Sequence, residues 1–188
     1  MPMIRTFIAI DLPEGIKRGI SGLQDRLKRD ECHIGWVRPE AIHLTLKFLG
    51  EIDEKGMPEI EAAIRKATKG FIPFNLRIMG LGVFPNLKKP GIIWLGIHEE
   101  GDNLLRLQSR IEEEMEKIGH PREERGFKPH FTIGRVRDPS GLKGLIEAIE
   151  SEKESELGGF ETEEVLIMRS DLRPEGPVYT RLCEIKFD

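Results

Sequence analysis

Apolar positions recur in two rhythms along the chain. The opening "MIRTFIAIDL" is rich in Ile and Phe and stops at Pro13, which predicts a strand; Ile16, Ile20, Leu23 and Leu27 then fall at helical spacing. "HIGWV" and "AIHLTLKFLGEI" read as two strands around a turn at Arg38, Pro39 and Glu40, followed by a helix from about Pro58 with Ile60, Ile64 and Ala67 on one side. "FNLRIMGLGVF" and "GIIWLGI" predict a strand pair joined by "PNLKKP". Asp102 is placed to cap a helix whose Leu104, Leu107 or Leu105, Ile111, Met115 and Ile118 form the buried stripe, with Gly119 at its end. A strand at His130, a short helix near Leu142 to Ile149 and strands in "TEEVLIMRSDL" and "VYTRLCEIKF" complete the pattern, and "ESEKESELGG" reads as a solvated loop. Strands neighbouring one another, with interspersed helices, predict an α+β fold of mainly antiparallel sheets, in one domain over residues 1–188.

One stretch puts chemistry where bland polar residues would serve. In "AIHLTLKFLG" the alternation sends Leu44, Leu46 and Phe48 to one face and His43, Thr45 and Lys47 to the other. "KPHFTIGRVR" repeats the device with His130 and Thr132 opposite Phe131 and Ile133. With 5 His in 188 residues, random placement gives only about 0.2 His-x-Thr pairs, so a second copy outweighs the ordinary reading of a half-buried strand histidine. Two such strands facing each other across a groove would present two imidazoles and two hydroxyls. One ring could accept a proton while the other donates one, and the hydroxyls could bond phosphate oxygens.

Composition narrows the alternatives. A net charge of −4 argues against coating nucleic acid by bulk electrostatics, while leaving room for a local anion site. No apolar run spans a bilayer and no leader pattern opens the chain, so a cytosolic protein is the expectation, with a monomer as the default. Cys32 and Cys183 stand alone and are expected to be core thiols. HExxH, GxSxG and GxxxxGK[ST] patterns are absent, and Gly80-Leu81-Gly82 runs into Phe84 and Pro85, not into a helix. The paired histidines need no metal and no cofactor. Basic residues at Lys88, Lys89, Arg122, Arg125 and Lys128 could guide an RNA strand, although solvated charge is the commoner use of such positions.

The segments His43-Leu44-Thr45-Leu46 and His130-Phe131-Thr132-Ile133 resemble the paired signature of the 2H phosphoesterases. The flanks "RTFIAIDLP", "KFLGEI", "GLGVFPNLKKPGIIWLG" and "GFKPHFTIGRV" are similar to the branch of RNA 2′,3′-cyclic phosphodiesterases, also called 2′-5′ RNA ligases. The resemblance implies two pseudo-symmetric lobes whose antiparallel sheets flank a central groove, with helices outside. It implies RNA ends or cyclic nucleotides as substrates, opened to a 2′-phosphomonoester, with His43 as proton donor and His130 as proton acceptor. Thr45 and Thr132 would hold the phosphate, Phe48 would stack on the terminal base and Arg135 would contact the phosphate. Phe48 and Arg135 both lie five residues after their histidine, an odd spacing that a regular strand sends to the opposite face. A bulge or a strand end just past each threonine would resolve the conflict, with Gly50 and Gly134 as suggestive breaks. Joining of RNA ends through a 2′-5′ bond, or binding of such ends without chemistry, are the alternative functions.

Overall fold

The computed structural model describes residues 3–29, 32–138, 140–174 and 176–188. Its strands are β1 (Met3–Asp11), β2 (Ile34–Trp36), β3 (His43–Asp53), β4 (Phe74–Phe84), β5 (Ile92–His98), β6 (His130–Val136), β7 (Glu156–Thr162), β8 (Glu164–Arg173) and β9 (Gly176–Lys186). Its α-helices are α1 (Glu14–Leu27), α2 (Met57–Thr68), α3 (Asn103–Lys117) and α4 (Leu142–Ser151). They build two antiparallel sheets, one ordered β3-β1-β8-β9 and the other β2-β6-β5-β4-β7.

The strand orders carry an internal symmetry. Within the first sheet β3 and β1 are followed by β8, and within the second β6 and β5 are followed by β4. Each sheet therefore pairs the histidine strand and opening strand of one half with a strand from the other half. Each sheet is thus completed by strands of the other half.

Each helix buries the stripe its spacing predicts. Ile16, Ile20, Leu23 and Leu27 of α1 and Ile60, Ile64 and Ala67 of α2 are all buried, as are Leu104, Leu107, Ile111 and Met115 of α3. Of the alternatives left open for α3, the structure buries Leu107, while Leu105 is 53% exposed. Asp102 stands at the start of α3, but its side chain makes no capping bond. The carboxylate of Glu99 takes that role, accepting from the backbone N–H groups of Asn103 at 3.1 Å and Leu104 at 2.8 Å.

Two further expectations are corrected. The stretch read as a solvated loop contains the start of β7, which pairs with β4 at the edge of the second sheet. Its glycines and charges hide it in the sequence, because an edge strand is held by backbone bonds and tolerates polar side chains. Second, β2 does not pair with β3: it joins β6 in the other sheet, and a 3-10 turn at Pro39–Ala41 carries the chain across. Cys32 and Cys183 lie partly exposed at the margin of the core.

The main apolar cluster lies on the helix-covered faces of both sheets. A second, small cluster of Phe7, Ala9, Leu166 and Met168, with Tyr179 against it, lies on the opposite face of the first sheet. Sheet register puts these residues on the same face as His43 and Thr45, since Asp11 is opposite His43, Ala9 opposite Thr45 and Phe7 opposite Met168. No helix among the described residues is long and apolar enough to cross a membrane.

Candidate active site

The same irregularity follows each His-x-Thr segment. In β3 the register with β1 slips between Ala9, opposite Thr45, and Ile8, opposite Lys47, so that Leu46 is the extra residue of a β-bulge. In β6 the register with β5 slips between Trp94, opposite Thr132, and Ile93, opposite Gly134, leaving Ile133 as the extra residue. Each bulge inverts the alternation beyond it. Phe48 therefore turns to the face of His43 and Thr45, where it is 59% exposed and lies 6.2 Å from Phe7. Arg135 is likewise exposed on the face of His130 and Thr132.

The inversion corrects the placing of Lys47, which the simple alternation puts beside Thr45. Its side chain is buried on the opposite face, where Nζ meets a Glu112 carboxylate oxygen at 2.6 Å and donates to the Pro121 carbonyl at 2.8 Å. The two glycines differ in their reasons for being there. Gly50 adopts a positive φ of 73° at a second register slip in β3. Gly134 sits under the Trp36 ring, where an added Cβ would approach within 3.1 Å.

β3 and β6 approach within 8 Å where the sheets meet. His43 is the more enclosed imidazole. Phe7 stacks on it with centroids 4.5 Å apart and a 27° interplanar angle, and Tyr179 meets it edge-on at 4.8 Å. Burial pushes the ring down to about 4 from its usual 6.5; the Asp11 carboxylate and a hydrogen bond with the Ala41 backbone oppose this, and Lys17 adds to it. Asp11 is itself held by Lys17 at 3.2 Å and by Arg181. Beside His43, Asp11, Glu40, Tyr179 and Arg181 rim a cavity of about 120 Å³ floored by Ala9, Leu166 and Met168.

His130 is held by the same kind of contact. Its Nδ1 lies 2.6 Å from the carbonyl oxygen of Lys128, two residues back, as Ala41 is two residues before His43. A carbonyl can only accept, so Nδ1 carries the proton and Nε2 of the neutral ring is left with a lone pair. Phe84 meets the His130 ring edge-on at 5.2 Å and stacks on Trp94 at the same distance. Trp94 lies flat over Gly82, where an added Cβ would fall 2.3 Å from the indole, and its Nε1 is buried without a partner among the described residues.

Thr45 and Thr132 are half-buried on the site faces. Their hydroxyls have no hydrogen bond among the described residues and remain available to an oxyanion. Tyr179 links the walls of the groove: burial raises its hydroxyl above the usual phenol value, opposed by the positive charges of Arg135 from the second sheet and Arg5 from the first. Sequence reading missed Phe7, Tyr179, Phe84 and Trp94, and the Asp11 pairing. For Phe7 a signal was present, since it shares its alternate of β1 with Arg5 and Asp11 while Ile4, Ile8 and Ile10 fill the core face. No group of three or more His, Cys, Asp and Glu side chains among the described residues is arranged to hold a metal ion.

Known proteins share both the halves and the whole. The family model described as LigT-like phosphoesterase matches twice, over residues 10–94 and 95–179, in agreement with the symmetry of the sheets. A Methanothermobacter thermautotrophicus protein named RNA 2′,3′-cyclic phosphodiesterase is 39% identical over 94% of this chain and 95% of its own length. A Methanocaldococcus jannaschii protein of the same name is 35% identical over 96% and 99%. A crystal structure from Thermus thermophilus superposes with a TM-score of 0.81 at 28% identity, covering 98% of both chains. LigT of E. coli, solved with 3′-AMP, shares the fold with a TM-score of 0.78 at 22% identity, covering 99% of both. With the family model matching both halves and these relatives matching end to end, the chain belongs to the LigT-like phosphoesterase family.

Proposed function

We propose that the chain hydrolyses RNA 2′,3′-cyclic phosphate ends to 2′-phosphomonoesters by paired-histidine acid–base catalysis. The observation that carries this reading is the repeated arrangement of a histidine held by the carbonyl two residues back, a threonine with a free hydroxyl, and a bulge that turns Phe48 or Arg135 onto the same face. The names of the relatives point to the same reaction.

In this scheme Nε2 of His130 takes a proton from water as the water oxygen attacks phosphorus. The bond from phosphorus to O3′ breaks, and His43 gives its proton to O3′, leaving the phosphate on O2′. Thr45, Thr132 and Arg135 hold the nonbridging oxygens, and the exposed ring of Phe48 stacks on the terminal base. Enclosure leaves His43 neutral near pH 7 in the free protein. Its role as donor therefore depends on the bound phosphate, whose negative charge beside the ring restores the proton that burial removes. Action in the cytosol as a monomer belongs to the same proposal.

The test is incubation with EDTA and an oligonucleotide ending in a 2′,3′-cyclic phosphate, with the product end identified by mass and by 3′-specific and 2′-specific phosphatase digestion. A 2′-phosphate is the expected product. A 3′-phosphate would reverse the regiochemistry, and joined oligonucleotides in place of hydrolysis would favour the ligase alternative.

A further inference from the structure

Most cations near the groove are already committed. Arg181 and Lys17 pair with Asp11, and Arg169 with Asp171. Arg5 and Arg135 are different: each is exposed on a site face, and neither has a carboxylate partner among the described residues. Glu51 stands opposite Arg5 in the register of β1 and β3 without forming an ion pair. In a chain of net charge −4, an uncommitted guanidinium on each wall marks a place for an anion: Arg135 on the face of His130 and Thr132, and Arg5 farther along the other wall.

Strand register gives the order of features along that wall. Ala9 is level with Thr45, Phe7 with Phe48 and Arg5 with Glu51. At about 3.3 Å per residue Arg5 lies about 13 Å along β1 from Ala9. That is too far along for the phosphate held at Thr45, with the exposed ring of Phe48 in between. An extended nucleic acid strand presents the same sequence of features: terminal phosphate, base, next phosphate. Tyr179 stands between the walls, its ring 5.1 Å from Phe7 and its hydroxyl in the field of both Arg5 and Arg135.

We propose that Arg5, with the Tyr179 hydroxyl, forms a subsite for the phosphodiester on the 5′ side of the terminal nucleotide. The inference rests on the hydrolysis reading above and makes it more specific: the preferred substrate is an RNA end or a 5′-phosphorylated cyclic nucleotide, and a cyclic nucleotide with a bare 5′-hydroxyl is a poorer one. A charge-assisted contact of this kind corresponds to a preference of about ten- to a hundredfold. Being largely ionic, it weakens as salt is raised.

The experiment compares kcat/KM for one nucleoside 2′,3′-cyclic phosphate with and without a 5′-phosphate, in the wild type, Arg5→Gln and Arg5→Lys. The wild type is expected to prefer the 5′-phosphorylated substrate by at least tenfold. Arg5→Gln should bring that ratio close to one while changing turnover of the 5′-hydroxyl substrate by less than about threefold, and Arg5→Lys should restore part of the ratio. Equal losses on both substrates, or an unchanged ratio, would overturn the subsite with hydrolysis still standing. Should neither substrate turn over, the hydrolysis reading fails. Calorimetric binding of a nucleoside 2′,5′-bisphosphate against the 2′-monophosphate then decides the subsite separately: tighter binding of the bisphosphate that vanishes in Arg5→Gln supports it, and equal affinities overturn it.

Discussion

The side-chain amide of Gln24 donates to the carbonyl of Ile133 at 2.9 Å, the residue at which β6 bulges, and its second N–H reaches the Val37 carbonyl at 2.7 Å. The other half has its counterpart: Gln108 of α3 donates to the carbonyl of Leu46, the bulge residue of β3, at 3.3 Å. Both bulge residues thus have a carbonyl that accepts from a helix glutamine, and that of Ile133 also accepts from the Val37 N–H at 3.0 Å.

Replacing Gln24 with Leu should cost about 1–3 kcal/mol of stability, because the Ile133 and Val37 carbonyls are left without that donor. It should also lower kcat/KM by loosening the bulge that aims Arg135. If Gln24 acts through Arg135, its effect on kcat/KM should shrink in an Arg135→Ala background. Purely additive losses in the double variant would confine Gln24 to stability.

The enclosure of His43 carries a cost in acid. The ring titrates near 6.5 when unfolded and at about 4 when folded. Between these values the unfolded chain binds a proton that the folded chain does not, so stability falls as pH drops from about 6.5 to 4 and is fully present only above that window. The His43 contribution is at most about 3 kcal/mol. Urea unfolding of wild type and His43→Ala at pH 7 and pH 4.5 should show a smaller pH loss in the variant; equal losses would mean that the ring is not kept neutral by the fold.

Lys47 and Glu112 form a buried pair at 2.6 Å, extended by Gln108 on Glu112 and by Pro121 on Lys47. Lys47→Met strands a buried carboxylate and should destabilise by about 3–5 kcal/mol, whereas Lys47→Met combined with Glu112→Leu should recover most of that loss. The comparison is read from urea midpoints at pH 7. A double variant as unstable as the single one would show that the charges themselves, and not their pairing, are needed.

These residues also show how far the sequence could be read. The helices and most strands were legible because their apolar spacing coincides with the faces they bury, as for Ile16, Ile20, Leu23 and Leu27. His43, Thr45, His130 and Thr132 stood out because the pattern occurs twice. Lys47 misled because a bulge carries no side-chain signature: alternation assumes a regular strand, and one inserted residue exchanges the faces of all that follow. The strand β7 was missed because its pairing is made by the backbone, and the Glu99 cap because its carboxylate reaches α3 from four residues before Asn103. Tyr179 and Trp94 could not be placed at all, since their nearness to the histidines depends on strands that meet only in the folded sheets.

The central claim is that two imidazoles share the proton transfers. Its most direct measurement is single-turnover hydrolysis of a 5′-phosphorylated RNA end bearing a 2′,3′-cyclic phosphate, in EDTA, by wild type, His43→Ala and His130→Ala, with folding of each variant checked by circular dichroism. Each variant should lose about 10² to 10⁴ in rate while still binding the RNA end. A folded variant of either histidine that keeps the wild-type rate would contradict the account.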